Sequence, residues 1–113
     1  MALIFPHEFI AKTAIHSIKA AVARELVNLG MTQREIADLM DSQTSTVSQY
    51  IGGQRGSSYA LSEDSMNLVN MVAESVYDEP TAELLQFGVS QVCNHVIEEE
   101  YGYKFEENDA SDA

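Results

Sequence analysis

Between Pro6 and Leu29 the apolar side chains Ile15, Ile18, Val22, Leu26 and Leu29 recur at steps of three and four, the spacing of one face of an α-helix. Ala11, Ala14, Ala20, Ala21 and Ala23 raise helix propensity around them. The pattern predicts a first helix, α1, over Pro6 to Leu29, stopped by Gly30. Thr32 followed three residues later by Glu35 forms a capping box, which starts a short α2 from about Gln33 to Met40. Asp41 and Ser42 make a turn, and α3 runs from about Thr44 to Ile51 before Gly52, Gly53 and Gly56 break the chain. Ser62, with Glu63 and Asp64 behind it, caps α4, whose stripe is Met66, Val69, Val72 and Val76. After the break at Asp78-Glu79-Pro80, with Pro80 suited to a first helical turn, α5 is expected from about Pro80 to Glu100. Leu84, Leu85, Phe87, Val89, Val92, Cys93, Val96 and Ile97 make its apolar face wider than one stripe. Such a helix needs cover on more than one side, and a second copy of so small a chain is the natural cover.

The expectation is therefore an all-α, five-helix domain in one chain of 113 residues. Residues 1–58 would hold α1 and the α2–turn–α3 unit, and residues 59–105 the dimerisation helices. Residues 106–113, without periodicity and rich in carboxylates, would form a disordered acidic tail. No apolar run is long enough for a membrane span, and the N-terminus lacks the basic and apolar regions of a signal peptide. The single cysteine, Cys93, has no partner for an internal disulfide, so a cytoplasmic location is expected.

Charge changes the picture once it is divided along the chain. The formal net charge is −12, yet residues 1–58 carry five basic and five acidic side chains and balance. From residue 59 onward there is Lys104 against thirteen carboxylates, so the entire excess lies in the second half. Acidity with few lysines looks like proteins from organisms that hold molar salt in the cytoplasm; an acidic dimer from an ordinary organism is the alternative. On α1, Lys12, His16 and Lys19 share a face, read as a solvated face with a phosphate-facing ridge as the alternative.

The outward positions of α3 carry the candidate chemistry. Ile36, Ala37, Met40, Val47 and Tyr50 can pack α2 against α3, which leaves Gln43, Thr44, Ser45, Thr46, Ser48 and Gln49 facing outward. All six can form hydrogen bonds, which a core cannot use but base edges and phosphates can. The segment resembles the lambda repressor and Cro family of helix-turn-helix regulators, also called the XRE type. The likeness rests on Thr32-Gln33, Ile36-Ala37, Val47-Ser48-Gln49-Tyr50 and Gly53-x-Arg55, about 26 residues. It implies that Gln33 anchors phosphate, that Thr44, Ser45 and Thr46 read bases, and that Gln49 reads one turn further along. Two departures stand out: Asp41 replaces the usual turn glycine, and Ser42 the usual apolar residue after it. Gln54 stands where many members are basic, which leaves Arg34, Arg55, Lys12 or Lys19 for phosphate.

A looser likeness, to small archaeal regulators with a Cys-x-x-Cys in the last helix, would place those thiol positions at His7, Ser90 and Cys93. With one thiol left, no cysteine-ligated cluster is expected. His95 lies two positions from Cys93 on a helix and faces away from it, so no metal or other cofactor is expected either. Glu98, Glu99 and Glu100 read as a solvated helix end, and no catalytic constellation is present. The leading expectation is a homodimeric, sequence-specific transcriptional regulator that binds double-stranded DNA at a pseudo-palindromic site, with no membrane partner and no enzymatic activity. Two alternatives remain. One is an antitoxin-like or adaptor module that uses its acidic surface, the other a regulator that senses redox state or a ligand through α4 and α5.

Overall fold

A computed structural model describes residues 5–102, so the expected acidic tail lies outside the described residues. Among these residues the chain is all-helical, with five helices and no strand. The first begins at Pro6–Phe9, passes through a wider π-helical stretch, Ile10–Ala14, and continues as Ile15–Leu29; together these are α1. Then follow α2 (Gln33–Met40), α3 (Thr44–Gly52), α4 (Glu63–Asp78) and α5 (Ala82–Tyr101).

The π-helical stretch corrects the expectation of an uninterrupted α-helix and has a packing reason. Ile10, Ala14, Ile18, Val22 and Leu26 are all buried and are spaced by four throughout. Steps of four overshoot a 3.6-residue turn by about 40° each. One wider turn takes back part of that drift and keeps Ile10 and Ala14 in the core. Further along, Ser17, Ala20, Ala21 and Ala23 are buried as well, so the middle of α1 is covered almost all round. Helix α4 packs most extensively against it, followed by α3, with α2 and α5 adding smaller contacts.

Gly30 ends α1 at φ 115°, with the Met31 N–H bonded to the Leu26 carbonyl at 2.9 Å and the Gly30 N–H to Val27 at 3.0 Å. This is a Schellman closure, and it buries Met31. Helix α4 starts at the expected cap, where the Ser62 hydroxyl accepts from the Ser65 N–H at 3.1 Å. Its stripe shifts by one position: Met66 is exposed, and Ser65, fully buried, takes its place before Val69. Pro80 is not in the first turn of α5. Thr81 is the cap, its hydroxyl accepting from the Leu84 N–H, and Ala82 is the first helical residue. Leu85, Gly88, Val92, Val96 and Ile97 are the buried face of α5. A Cβ on Gly88 would sit 2.4 Å from a methyl carbon of Val72, so the absence of a side chain there sets how closely α4 and α5 approach.

A polar tie holds the loop between α3 and α4 to the first and last helices. The Tyr59 N–H donates to the buried Ser17 hydroxyl of α1 at 3.1 Å, and the Tyr59 hydroxyl donates to Glu100 of α5 at 2.6 Å. Ser62 and Ser65 donate to the two oxygens of Glu99 at 2.7 and 3.0 Å. Phe9 stacks edge-on with Tyr59 and Tyr101, with ring centroids 5.3 and 5.9 Å apart. The end of α5 is thus a clamp on the loop, while Glu99 and Glu100 stay exposed as a solvated helix end implies. Partial burial pushes the Glu99 carboxyl up, but hydrogen bonds from Ser62 and Ser65, with His95 3.2 Å away, outweigh it and hold Glu99 below the ordinary 4.5.

A folded-state value below the unfolded one stabilises the fold above about pH 4.5 and loses that contribution as pH falls through the lower folded value. Glu99→Gln is expected to cost about 1 kcal/mol near neutral pH, with the gap to wild type closing as pH drops below about 4.5. Denaturant unfolding of both proteins across pH checks this. A gap that is constant with pH would show that the Glu99 charge plays no part.

Candidate nucleic-acid interface

Helix α2 opens on the capping box expected from the sequence. The Glu35 N–H donates to the Thr32 hydroxyl at 3.1 Å, and the Glu35 carboxylate accepts from the Thr32 N–H at 2.9 Å and from its hydroxyl at 3.0 Å. These bonds from Thr32, backbone first, hold the Glu35 carboxyl below its usual range. Ile36 and Ala37 then face the core.

The turn that follows depends on one backbone conformation. Asp41 lies at φ 52°, ψ 48°, and among the described residues it is the only non-glycine with positive φ. The Ser42 N–H reaches the Ala37 carbonyl at 2.9 Å and the Asp41 N–H reaches Asp38 at 3.3 Å. These close α2 with the Schellman pattern that ends α1, with aspartate in the glycine position. Ser42, at a position where the resembled family is usually apolar, is half-buried and turns its hydroxyl back to the Met40 carbonyl at 3.4 Å.

Helix α3 is anchored by Val47 and Tyr50, both buried. Thr44, Ser45, Ser48 and Gln49 are exposed, and Thr46 is half-buried, so its share of an outward face is smaller than the sequence implied. Gln43 is the exposed N-cap residue. Its side chain makes no capping bond to the first turn and instead accepts from the Ser45 hydroxyl at 3.4 Å. Unpaired amides in the first turn of a helix are donors suited to a phosphate oxygen. Gln33 is half-buried at the start of α2 and Arg34 is exposed beside it.

Arg55 is exposed in the loop after α3, and its N–H bonds the Gln49 carbonyl at 3.2 Å, which holds the loop against the end of the helix. Gly56, at φ 81°, lies so close to the His16 carbonyl that a Cβ would approach it at 2.5 Å. The Ser57 hydroxyl closes back on the Gly53 carbonyl at 2.8 Å. Neither Arg34 nor Arg55 forms a salt bridge among the described residues. The face thus combines five exposed hydroxyl or amide side chains, an uncapped helix start and two guanidinium groups outside any salt bridge among the described residues, with no carboxylate on α3 itself.

The expected common face of Lys12, His16 and Lys19 is not formed as one solvated surface. Lys12 is exposed, but the Gly56 loop covers His16 and Lys19 lies half-buried in a cavity bordered by α5. Local sequence carries no signal for this because the covering segments are distant in the chain. Cys93 is half-buried, and burial pushes its thiol up to about 11, with its own backbone and the nearby Lys19 charge offsetting only part. An un-ionised thiol is a poor nucleophile, which weakens a redox role. Among the described residues no group of three metal-ligating side chains converges, and no helix is long and apolar enough to cross a membrane. No protein-family model, curated protein or solved structure matches the chain.

The strained turn yields a direct expectation. Asp41→Gly should match or exceed the wild-type melting temperature, and Asp41→Val should cost about 1 to 2 kcal/mol. Thermal unfolding of the two variants measures this; a harmless valine would mean that the turn is not held left-handed in solution.

Proposed function

We propose that the chain is a sequence-specific DNA-binding regulator whose reading head is α2, the Asp41 turn and α3. The observation that carries this reading is the α3 surface: Thr44, Ser45, Ser48 and Gln49 stand exposed on a helix fixed from behind by Val47 and Tyr50. A helix that presents its N-terminal residues in this way can enter a major groove. Gln49 can pair bidentately with adenine, and Thr44 can meet a thymine methyl group. Arg34, Arg55 and Gln33 are the phosphate contacts. Helix α3 carries neither a carboxylate nor an exposed large apolar side chain, whereas a helix serving an adaptor role would tolerate either.

The same reading assigns α4 and α5 to a homodimer interface. Met71 and Phe87 are 62% and 61% exposed, beside a shallow groove that also includes Leu68 and Leu84. Exposed apolar side chains gathered on one face favour association. Glu79 and Glu83 lie beside Leu84 and Phe87 at the edge of this region, so association is favoured by salt that screens them. A two-fold dimer reads two half-sites about 34 Å apart, a distance compatible with protomer dimensions of 45 × 37 × 24 Å. We place the protein in the cytoplasm, with its acidic half turned away from the duplex.

Random-site selection with wild type and Gln49→Ala across a salt series tests the proposal. Wild type is expected to enrich a pseudo-palindrome, with a shallow loss of affinity against salt because few phosphates are neutralised. Gln49→Ala should relax preference at one base pair per half-site and cost about 1 to 3 kcal/mol there. No enrichment, or a slope corresponding to about eight or more phosphate contacts, would count against it.

A further inference from the structure

A cavity of about 290 Å³ opens between α1, α2 and α5. Leu39, Met40, Leu85 and Val89 form its apolar walls, and Lys19, Gln86 and Ser90 supply its polar groups. The lining holds one cation and no carboxylate, in a chain with eighteen acidic and six basic side chains. Lys19 is half-buried and forms no salt bridge among the described residues. The Cys93 thiol, close enough to feel its charge, is un-ionised and supplies no counter-charge. An anion that enters beside the one cation of an apolar-walled cavity gains a charge-assisted contact with it. Apolar walls with a few converging polar groups are the usual composition of a small-molecule site, and this volume lies at the small end of such sites.

We propose that this cavity binds a small amphipathic carboxylate. The acid group would meet Lys19, with Ser90 or Gln86 as hydrogen-bond donor, and a short apolar body would lie against Leu39, Met40, Leu85 and Val89. Met40 is the last residue of α2, directly before the Asp41 turn. A molecule in the cavity therefore bears on the closing turn of α2 and on the packing of α2 against α5. That regulatory consequence rests on the DNA-binding reading; the binding site itself does not.

The test is a titration of the full chain with octanoate, followed by amide chemical shifts, with octan-1-ol as the uncharged probe and no DNA present. Octanoate is expected to bind saturably and shift Lys19, Leu39, Met40, Leu85 and Val89. Lys19→Met, which keeps the aliphatic stem, should weaken octanoate at least tenfold and leave octan-1-ol unchanged. Ser90→Trp, at an exposed position on the rim, should block both probes and serves as an independent variant should Lys19→Met fail to fold. The proposal is overturned if octanoate does not saturate or binds Lys19→Met as tightly as wild type. Shifts clustered on Leu68, Met71 and Phe87 would overturn it as well. Because DNA is absent, failure here leaves the reading-head proposal standing, and failure of site selection leaves this one standing.

Discussion

The structure depends on the burial of α1 around most of its circumference. Ile18, Val22 and Leu26 have no exposed surface, and Ala20 and Ala23 let neighbouring helices approach closely. Removing the side chain of one such residue costs about 2 to 5 kcal/mol, a large share of the stability of a small domain. Because α2, α3, α4 and α5 all pack on this one helix, the orientation of the α3 surface is set by the same core that places the apolar face of α4 and α5. The π-helical stretch at Ile10–Ala14 extends that core to the end of the chain at which α1 begins.

The second constraint is electrostatic. Thirteen carboxylates follow residue 58, and like charges at this density oppose compaction unless they are spread or bonded. Part of the acidity is put to structural use: Glu99 and Glu100 accept from Ser62, Ser65 and Tyr59 and so fix the loop that leaves α3. The first half balances its charge, and within it Arg34 and Arg55 remain free of carboxylate partners among the described residues. Chain position thus separates a charge-balanced first half from an acidic second half suited to hydration.

Much of the architecture is legible in the sequence because it is local. The capping box at Thr32 and Glu35, the Gly30 stop, the Ser62 cap and the left-handed Asp41 each follow from residues within one turn of one another. What was not legible comes from contacts between distant segments. Ser17 and Ser65 occupy core positions because Tyr59 and Glu99 reach them from other elements, and no periodicity announces that. A serine four residues before Val69 on the same stripe was the available hint. Lys19 read as solvated because nothing near it in sequence shows that α5 will close over it. In the candidate site, Gln43, Thr44, Ser45, Ser48 and Gln49 are as exposed as the α3 pattern implied. Thr46 is less so, and Gln33 is half-buried.

The most direct test of the central claim, that DNA is read by the α2–turn–α3 face, is to map amide chemical-shift changes on the full chain. The titrant would be a short mixed-sequence duplex at low salt. Changes should concentrate at Gln33, Arg34, Thr44, Ser45, Ser48, Gln49 and Arg55 and leave Met71 and Phe87 unmoved. An absence of changes at saturating duplex, or changes centred on α4 and α5, would contradict the account.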